Sequence, residues 1–355
     1  MVVESVNDTT ELYLLENIDQ LITRDTTYVP SGNGCMPKNR PIKKYIDYGI
    51  INIDKPSNPS SHEVTTWVKT ILNCNKTGHS GTLDPNVTGV LTVCINRATR
   101  LAKSQQSLGK TYICVIQFEK EISEKKFINA CKKLTGHLLQ RPPLLCAVKR
   151  ELRLRWIYSI KILEFSGNKG LIEVYCEAGS YIRTLCMHIG LYVGVPAEMA
   201  DLRRIKSGNV TEYECFTLHD LLDAVYLYKK NNNEKYLRKI IKPLESLLIN
   251  YKRIVIKDTA VAAICSGAKL SIQGVFKYDA TIDTTDTIVI MTGKGEAVAL
   301  GTPLICGTEF KTMTTGFVCK PIRVIMEENT YPKCWGIMSN YEIYSEEETT
   351  LLEKK

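Results

Sequence analysis

The sequence has 355 residues, of which 44% are hydrophobic and 24% are charged. This length predicts about two domains, and the composition argues against a disordered, collagen-like or repeat-dominated protein. No apolar run reaches the ~20 residues that a membrane-spanning helix requires. The first twenty residues lack a basic stretch ahead of an apolar core, so no secretory signal peptide is expected.

Charge is distributed unevenly along the chain. The net charge is +8, whereas residues 1–20 carry five acidic side chains without Lys or Arg, and residues 341–355 carry five Glu and two Lys. Residues 21–340 therefore hold a net charge of +16, which suits an acidic partner such as nucleic acid. The thirteen cysteines show no C-x-x-C spacing and there are only five His, so we expect reduced thiols rather than a zinc or disulfide framework.

Hydrophobic patterns predict a mixed α and β domain over the first 250 residues. A polar N-terminal stretch to about residue 45 is expected to be irregular. Ser60 and Glu63 then form a capping box before a helix whose apolar positions include Trp67. A second capping box, Thr217 and Asp220, precedes another helix. The remaining predicted elements are strands at 48–54, 89–95, 110–118 and 171–178, and helices at 123–134 and 180–194.

The pattern changes beyond residue 250. Short strand-like runs, broken by Gly and Asp turns, replace the alternation of helices and strands. These runs lie at 253–258, 286–292 and 296–305. We therefore place a domain boundary near residue 250, between a larger α+β domain and a smaller, mostly β domain.

The densest cluster of glycine and polar residues is GHSGTLDPNVTGVL at 78–91. Its glycines allow the backbone to approach a ligand closely, and Asp84 could act as a base, a nucleophile or a metal ligand. A turn-capping aspartate is the structural alternative. Tyr112, in an alternating strand, would ordinarily be a core residue. Arg183, at the start of an apolar helix, needs either a carboxylate partner or an exposed position.

Two basic stretches are candidates for contacts with nucleic acid. Residues 97–110 hold four Lys or Arg and no acid, and residues 140–156 hold five against one Glu. Backbone phosphates would explain such clusters, because each neutralised phosphate adds to affinity. A solvated charged surface is the alternative interpretation.

Taken together, these segments resemble the TruB-type pseudouridine synthases. The family's G-H-x-G-x-L-D-P motif occurs at 78–85, K-x-Y at 110–112, Y-[IM]-R-T-L at 181–185 and L-R-R at 202–204. Further segments, among them DKPSNPSSHEV, RATRL and QRPPL, are similar to the eukaryotic, RNA-guided dyskerin branch rather than to the bacterial enzymes. The resemblance covers about residues 45–336.

The resemblance implies an α+β fold with two domains. A catalytic domain at 46–250 would contain a mixed, largely antiparallel sheet, and a small, mostly β PUA domain at 251–330 would bind RNA. Residues 1–45 are then expected to be an N-terminal extension that packs on the PUA domain, and 331–355 a short acidic tail. Many members of the branch carry a Lys-rich tail, so nuclear import would depend on another signal, such as KNRPIKK at 38–44.

The implied activity is the isomerisation of uridine to pseudouridine in RNA. This reaction involves no net redox change, so no cofactor is expected, and no metal. By resemblance Asp84 is the nucleophile and Arg183 is its salt-bridge partner. Tyr112 would stack on the flipped base and accept the proton from C5. The residues expected to bind substrate are His79, Lys55, Tyr181, Leu202 and Arg203.

The implied partners are an H/ACA guide RNA, the target rRNA or small nuclear RNA, and three small H/ACA core proteins. No membrane partner is expected, and the implied location is the nucleus and nucleolus. Two alternatives remain open. The chain could be a stand-alone tRNA enzyme, or a scaffold that stabilises H/ACA RNAs, with telomerase RNA among them.

Overall fold

The computed structural model describes residues 12–143 and 149–333. The described residues therefore exclude three segments covered by the sequence-based expectations: residues 1–11, residues 144–148 of the second basic stretch, and the acidic tail after residue 333. The chain forms two compact units. Ile46–Lys242 form the first unit, and the described residues before and after that range form the second unit.

The helices and strands alternate through the first unit, whereas strands dominate the second. The α-helices are α1 (Ile42–Asp47), α2 (Ser61–Leu72), α3 (Ala102–Gln106), α4 (Glu124–Lys133), α5 (Ile182–Val193), α6 (Leu218–Asn231), α7 (Lys235–Ile240) and α8 (Asp258–Cys265). The strands are β1 (Ile22–Thr23), β2 (Gly49–Lys55), β3 (Thr77–His79), β4 (Thr88–Ile95), β5 (Lys110–Phe118), β6 (Gly136–Gln140), β7 (Arg153–Ser166), β8 (Lys169–Cys176), β9 (Ala197–Ser207), β10 (Val210–Thr211), β11 (Ile241–Pro243), β12 (Arg253–Ile256), β13 (Leu270–Ser271), β14 (Val275–Tyr278), β15 (Ile288–Thr292), β16 (Ala297–Pro303) and β17 (Phe317–Val324). Within 12–143 and 149–333, no helix has both the length and the apolar character needed to cross a membrane.

Both predicted capping boxes are present. Ser60 Oγ accepts a hydrogen bond from the Glu63 amide at 3.2 Å, and the Glu63 carboxylate accepts one from the Ser60 amide at 2.8 Å, which fixes the start of α2. The second box makes the same reciprocal pair before α6. Trp67, one of the apolar positions at helical spacing, is 45% exposed and lies off the buried face of α2. The buried face passes through Val68, and the preceding position lies about 100° away around a helix.

The first unit is built around a mixed sheet. Eight strands follow the order β11-β2-β4-β9-β5-β8-β7-β6, while β3 pairs with β4 and β10 pairs with β9. The pairs β2–β4, β9–β5, β5–β8, β8–β7 and β7–β6 are antiparallel, and β4–β9 is parallel. The expected α+β class with a largely antiparallel sheet is confirmed. Strand β5 places Cys114, Ile116 and Phe118 on its buried face, as its alternation predicts.

Two long strands have no counterpart in the hydrophobic pattern. Strand β7 spans 14 residues and begins inside the second basic stretch. Strand β9 spans 11 residues and lies at the centre of the sheet, although its sequence, AEMADLRRIKS, is mostly polar. Tertiary pairing with β4 and β5 therefore outweighs the weak strand propensity of this segment. The position of β9 matters for the site, since it carries the L-R-R motif.

The second unit contains a seven-stranded sheet in the order β1-β14-β12-β15-β16-β17-β13. Its first strand comes from the N-terminal stretch that was expected to be irregular, and Ile22 lies opposite Tyr278. Arg40, from the same stretch, makes two hydrogen bonds of 3.0 and 2.6 Å to the carboxylate of Glu245. Both side chains are buried. The early residues are thus an integral part of this mostly β unit.

Candidate active site

The loop between β3 and β4 carries Asp84, and a buried lysine holds that loop in place. Lys55, at the end of β2, donates from Nζ to the carbonyl oxygens of Pro56 at 2.7 Å and Pro85 at 2.8 Å. Its burial lowers the pKa of Lys55, and the negative charge of Asp84 partly counters that effect. Lys55 therefore fixes the backbone beside Asp84 and contributes positive charge to the same region.

Asp84 faces the first turn of α5. Its Oδ2 lies 2.9 Å from Nη2 of Arg183, and both side chains are partly exposed. The start of α5 is fixed by Gln140, whose side chain accepts from the Tyr181 amide at 2.9 Å and donates to the Tyr181 carbonyl at 3.2 Å. The sequence expectation that Arg183 finds a carboxylate is therefore met by a charge-assisted contact. The carboxylate keeps an accessible side towards solvent.

Tyr112 lies on β5, next to this pair. Its side chain is half-buried, and burial raises the pKa of Tyr112. The charge of the Arg204 guanidinium lowers that pKa, whereas the nearby Asp84 raises it. The phenol ring therefore lies among the charged groups of the site and offers both an aromatic face and a hydroxyl.

His79, at the end of β3, lies on the loop side of the site. Its Nδ1 accepts a hydrogen bond from the Gly81 amide at 3.4 Å. Burial lowers the pKa of His79, and the positive charges of Arg204 and His62 lower it further. A neutral imidazole at neutral pH is suited to pack beside a nucleotide rather than to donate a proton.

Leu202 and Arg203 are neighbours on β9 and point in opposite directions. Leu202 lies opposite Cys114 of β5 and is buried. The Arg203 guanidinium instead contacts Asp54 at 2.9 Å and Glu212 at 2.8 Å. These carboxylates raise the pKa of Arg203 further above its ordinary value, with Asp54 as the larger cause. The structure thus places Arg183, Lys55 and Tyr112 near Asp84 but directs the side chain of Arg203 to Asp54 and Glu212.

Family comparisons agree with this arrangement. Residues 69–182 match the N-terminal domain of TruB family pseudouridylate synthases, and 183–249 match the C-terminal domain of tRNA pseudouridylate synthase B. Residues 9–65 match the DKCLD domain and 252–325 match the PUA domain.

Relatives with known names extend the match to most of the chain. The H/ACA ribonucleoprotein complex subunit CBF5 of Emericella nidulans is 54% identical over 329 residues, which cover 91% of this chain and 68% of the relative. The chain belongs to the CBF5 family of TruB-type pseudouridine synthases. It is therefore an RNA pseudouridine synthase with a PUA domain, as its motifs predict.

Two solved structures align with this chain over most of its length. One describes an H/ACA ribonucleoprotein bound to a substrate RNA containing 2′-deoxyuridine, with 40% identity, a TM-score of 0.82, and coverage of 89% of this chain and 97% of the other. The second is a Cbf5–Nop10–Gar1 complex, with 42% identity, a TM-score of 0.81, and coverage of 88% and 96%. The overall fold expected from the motifs is thereby confirmed.

Two further residues lie in this CBF5-family site. The family resemblance implies that Arg204 of the L-R-R motif lines the pocket or its rim, whereas Lys110 did not emerge as a site residue from the sequence. Arg204 is buried, and its Nη2 donates to the Gly81 carbonyl at 3.1 Å. Lys110 is also buried and donates to three carbonyl oxygens just before β5, the shortest of them that of Leu108 at 2.6 Å. Burial lowers the pKa of Lys110 to about 8. If residues 197–207 had been predicted as a strand, the side chains of Arg203 and Arg204 would have been expected on opposite faces of the sheet, because successive strand residues alternate.

No metal cluster is evident in the described part of the chain. Within residues 12–143 and 149–333, no three His, Cys, Asp or Glu side chains group closely enough to hold an ion. Asp84 instead lies near the cations Arg183 and Lys55, and Arg204 binds the loop that leads into it. This positive surrounding suits an anionic nucleophile and the phosphates of an RNA strand.

Proposed function

We propose that this chain is the catalytic subunit of an H/ACA ribonucleoprotein, which converts uridine to pseudouridine in rRNA at positions selected by a guide RNA. The proposal follows the names of its CBF5 relatives and the substrate-bound H/ACA structure that aligns with it. The single observation that carries the chemistry is the 2.9 Å contact between Asp84 and Arg183 at an accessible loop.

Asp84 is proposed as the nucleophile. The reaction breaks the bond between N1 and C1′ of the target uridine, turns the base, and joins C5 to C1′. The proton leaves C5 and one is gained at N1, so the product is an isomer and Asp84 is regenerated. Arg183 directs the carboxylate towards the nucleotide through its charge-assisted contact. The target base must leave its stack before Asp84 can reach it.

Tyr112 is proposed to stack on the flipped base and to accept the C5 proton through its hydroxyl. Tyr181, His79 and Leu202 would shape the pocket around the nucleotide. Lys55 supports the loop through its two carbonyl contacts. Arg203 would act indirectly, because its guanidinium is bound by Asp54 and Glu212.

The remaining domains are proposed to bind the guide. The catalytic domain would comprise about residues 46–250, and the PUA domain, about 251–330, would hold the H/ACA guide RNA. The N-terminal extension, 1–45, would pack on the PUA domain. A related protein is solved with Nop10 and Gar1, and we propose that three small core proteins assemble with this chain in the same way. Such a particle would act on rRNA in the nucleus, specifically in the nucleolus.

Reconstitution with a guide RNA and a matched target tests the proposal. The wild-type chain, with its core proteins, should form pseudouridine at the guided uridine, and Asp84→Asn should form none while retaining guide and target binding. Asp223→Asn, an exposed carboxylate on α6, is the matched control and should behave as wild type. Formation of pseudouridine by the Asp84→Asn variant would refute the assignment of the nucleophile. Activity on naked tRNA without a guide would favour a stand-alone tRNA enzyme.

A further inference from the structure

Arg204 lies on β9 between the two elements that carry the proposed chemistry. On one side it is opposite Gly89 of β4, and on the other it is opposite Tyr112 of β5. Residues directly opposite in antiparallel strands project to the same face of a sheet. The register of β9 against β5 therefore brings the side chains of Arg204 and Tyr112 together.

Gly89 permits the close approach of β9 to β4. Its φ is +104°, and a Cβ at this position would lie 2.2 Å from the carbonyl oxygen of Arg204. Any larger residue would therefore push the two strands apart at the level of the arginine. Only glycine allows this close contact between β4 and β9. The contact keeps the Arg204 side chain within hydrogen-bonding distance of the loop that carries Asp84.

The Arg204 guanidinium binds backbone oxygens on and next to that loop. Its Nε donates to Val90 at 2.8 Å, and its Nη2 donates to Gly81 at 3.1 Å. Its Nη1 lies 3.5 Å from the carbonyl oxygen of Thr82. Gly81 and Thr82 come just before Asp84, so one planar group fixes the backbone that leads into the proposed nucleophile.

The environment of the Arg204 charge differs from that of the two other arginines of the site. Arg183 and Arg203 each contact a carboxylate, whereas no ion pair within 4.0 Å is formed by Arg204 in the described ranges 12–143 and 149–333. Buried cations ordinarily have a counter-charge, because removing charge from water is costly. Tyr112 lies opposite this cation on the neighbouring strand, and the charge of Arg204 lowers the pKa of the Tyr112 hydroxyl.

We propose that Arg204 is a positioning residue for pseudouridine formation. Its guanidinium binds the loop ahead of Asp84, and its strand position places it opposite Tyr112 on the same face of the sheet. Arg204 thereby fixes the nucleophile relative to the group that receives the C5 proton. This inference rests on the proposed roles of Asp84 and Tyr112. Lysine at this position would keep the charge, but a single ammonium cannot reproduce the fork of N–H donors.

The first test is the single-turnover rate of Arg204→Lys in the reconstituted guide–target complex. The rate should fall roughly 100-fold, because small displacements of reacting groups have effects of this size. Target affinity should remain unchanged. In a Tyr112→Phe background, the same substitution should lower the rate by a clearly smaller factor, because only its effect on the loop ahead of Asp84 remains. An equal loss in both backgrounds would overturn the inference.

The second test is the pH–rate profile of Arg204→Gln, which removes the charge. Without the cation, the phenolate form of Tyr112 loses stabilisation, so the rise of the rate with pH should move to higher pH. A purely structural role would lower the rate by the same factor at every pH, which would contradict the proposal. If Arg204→Gln fails to fold, Arg204→Lys in the two backgrounds decides the question.

Arg40→Lys is the matched control, because Arg40 is equally buried but lies in the other unit. It should lower the unfolding temperature without altering the shape of the pH–rate profile. The outcome also separates this inference from the proposed function. Absence of pseudouridine from the wild-type complex would refute the function, whereas an active wild type with unaffected Arg204 variants would refute only the positioning role.

Discussion

Asp84 and Arg183 form an ion pair of 2.9 Å between the loop ahead of β4 and the first turn of α5. Both side chains remain partly exposed, at 49% and 31% respectively. A pair with this exposure contributes little to folding, because water screens it. We infer that the contact serves to direct the carboxylate rather than to stabilise the fold.

Arg183→Lys should therefore separate activity from stability. We expect the single-turnover rate to fall roughly 100-fold, because lysine cannot reproduce the planar donor geometry. The unfolding temperature should stay within about 2 °C of wild type, as expected for an exposed pair. Arg238→Lys is the matched control, since the Arg238–Glu234 pair on α7 has similar exposure. It should leave the rate unchanged, and a comparable loss there would show that the effect is not specific to the site.

Lys55→Met should destabilise the loop beside Asp84. The substitution keeps the apolar stem but leaves the carbonyl oxygens of Pro56 and Pro85 without their donor, which costs about 1–3 kcal/mol. The measurement is urea unfolding followed by tryptophan fluorescence, since Trp67 and Trp156 belong to this unit. Ser57→Ala removes an exposed hydroxyl contact of 3.3 Å to the neighbouring Asn86 and should change stability by less than about 0.5 kcal/mol.

Two glycines of the 78–91 cluster should respond differently to alanine. Gly89→Ala should destabilise the first unit by about 1–3 kcal/mol or more, because the new methyl group would collide with the backbone of Arg204. Gly78→Ala should be tolerated, since its nearest neighbour is the side chain of Thr99 at 3.7 Å. Thermal unfolding of the two variants gives the comparison. Equal effects would show that the tight contact at Gly89 does not limit the fold.

Lys110 should make the stability of the first unit depend on pH. Its pKa is lowered by burial from 10.5 to about 8, so between these values the unfolded chain binds more protons than the folded one. The free energy of unfolding should therefore rise with pH across this window, by up to about 1.4 kcal/mol per pH unit, and should be flat below pH 8.

Other groups also titrate in this pH range. The quantity to measure is therefore the difference in the free energy of unfolding between wild type and Lys110→Met. Urea unfolding across the window isolates the contribution of the ammonium. A difference that stays constant with pH would contradict the prediction. The three carbonyl contacts of Lys110 Nζ stabilise the charged form and would reduce the slope.

The sequence predicts those parts of the fold that depend on local patterns. The capping box of Ser60 and Glu63 starts α2 as expected, and the alternation in 110–118 gives β5 with its buried face. The motif positions of Asp84 and Arg183 predict a contact that the structure contains. Each of these features can be identified within a short window, or rests on a family motif with fixed residues.

Other features depend on contacts between distant segments. Strand β9 is polar and carries no clear alternation, because its neighbours β4 and β5 supply the hydrogen bonds that hold it at the centre of the sheet. The opposite orientations of Arg203 and Arg204 follow only once this strand is known. The pairing of Arg40 with Glu245 joins residues 205 positions apart, and no local pattern indicates it.

The second unit is assembled from both ends of the chain, which has a consequence for biosynthesis. Ile22 pairs with Tyr278, so the early segment cannot reach its place until the ribosome has made the later strand. The Ile46–Lys242 unit is synthesised in between and can fold first. At about 5–20 residues per second, the N-terminal segment waits roughly 10–50 s with its strand edge unpaired. We therefore expect a slower translation rate to lengthen this interval and to increase the need for chaperone protection of the N-terminal segment.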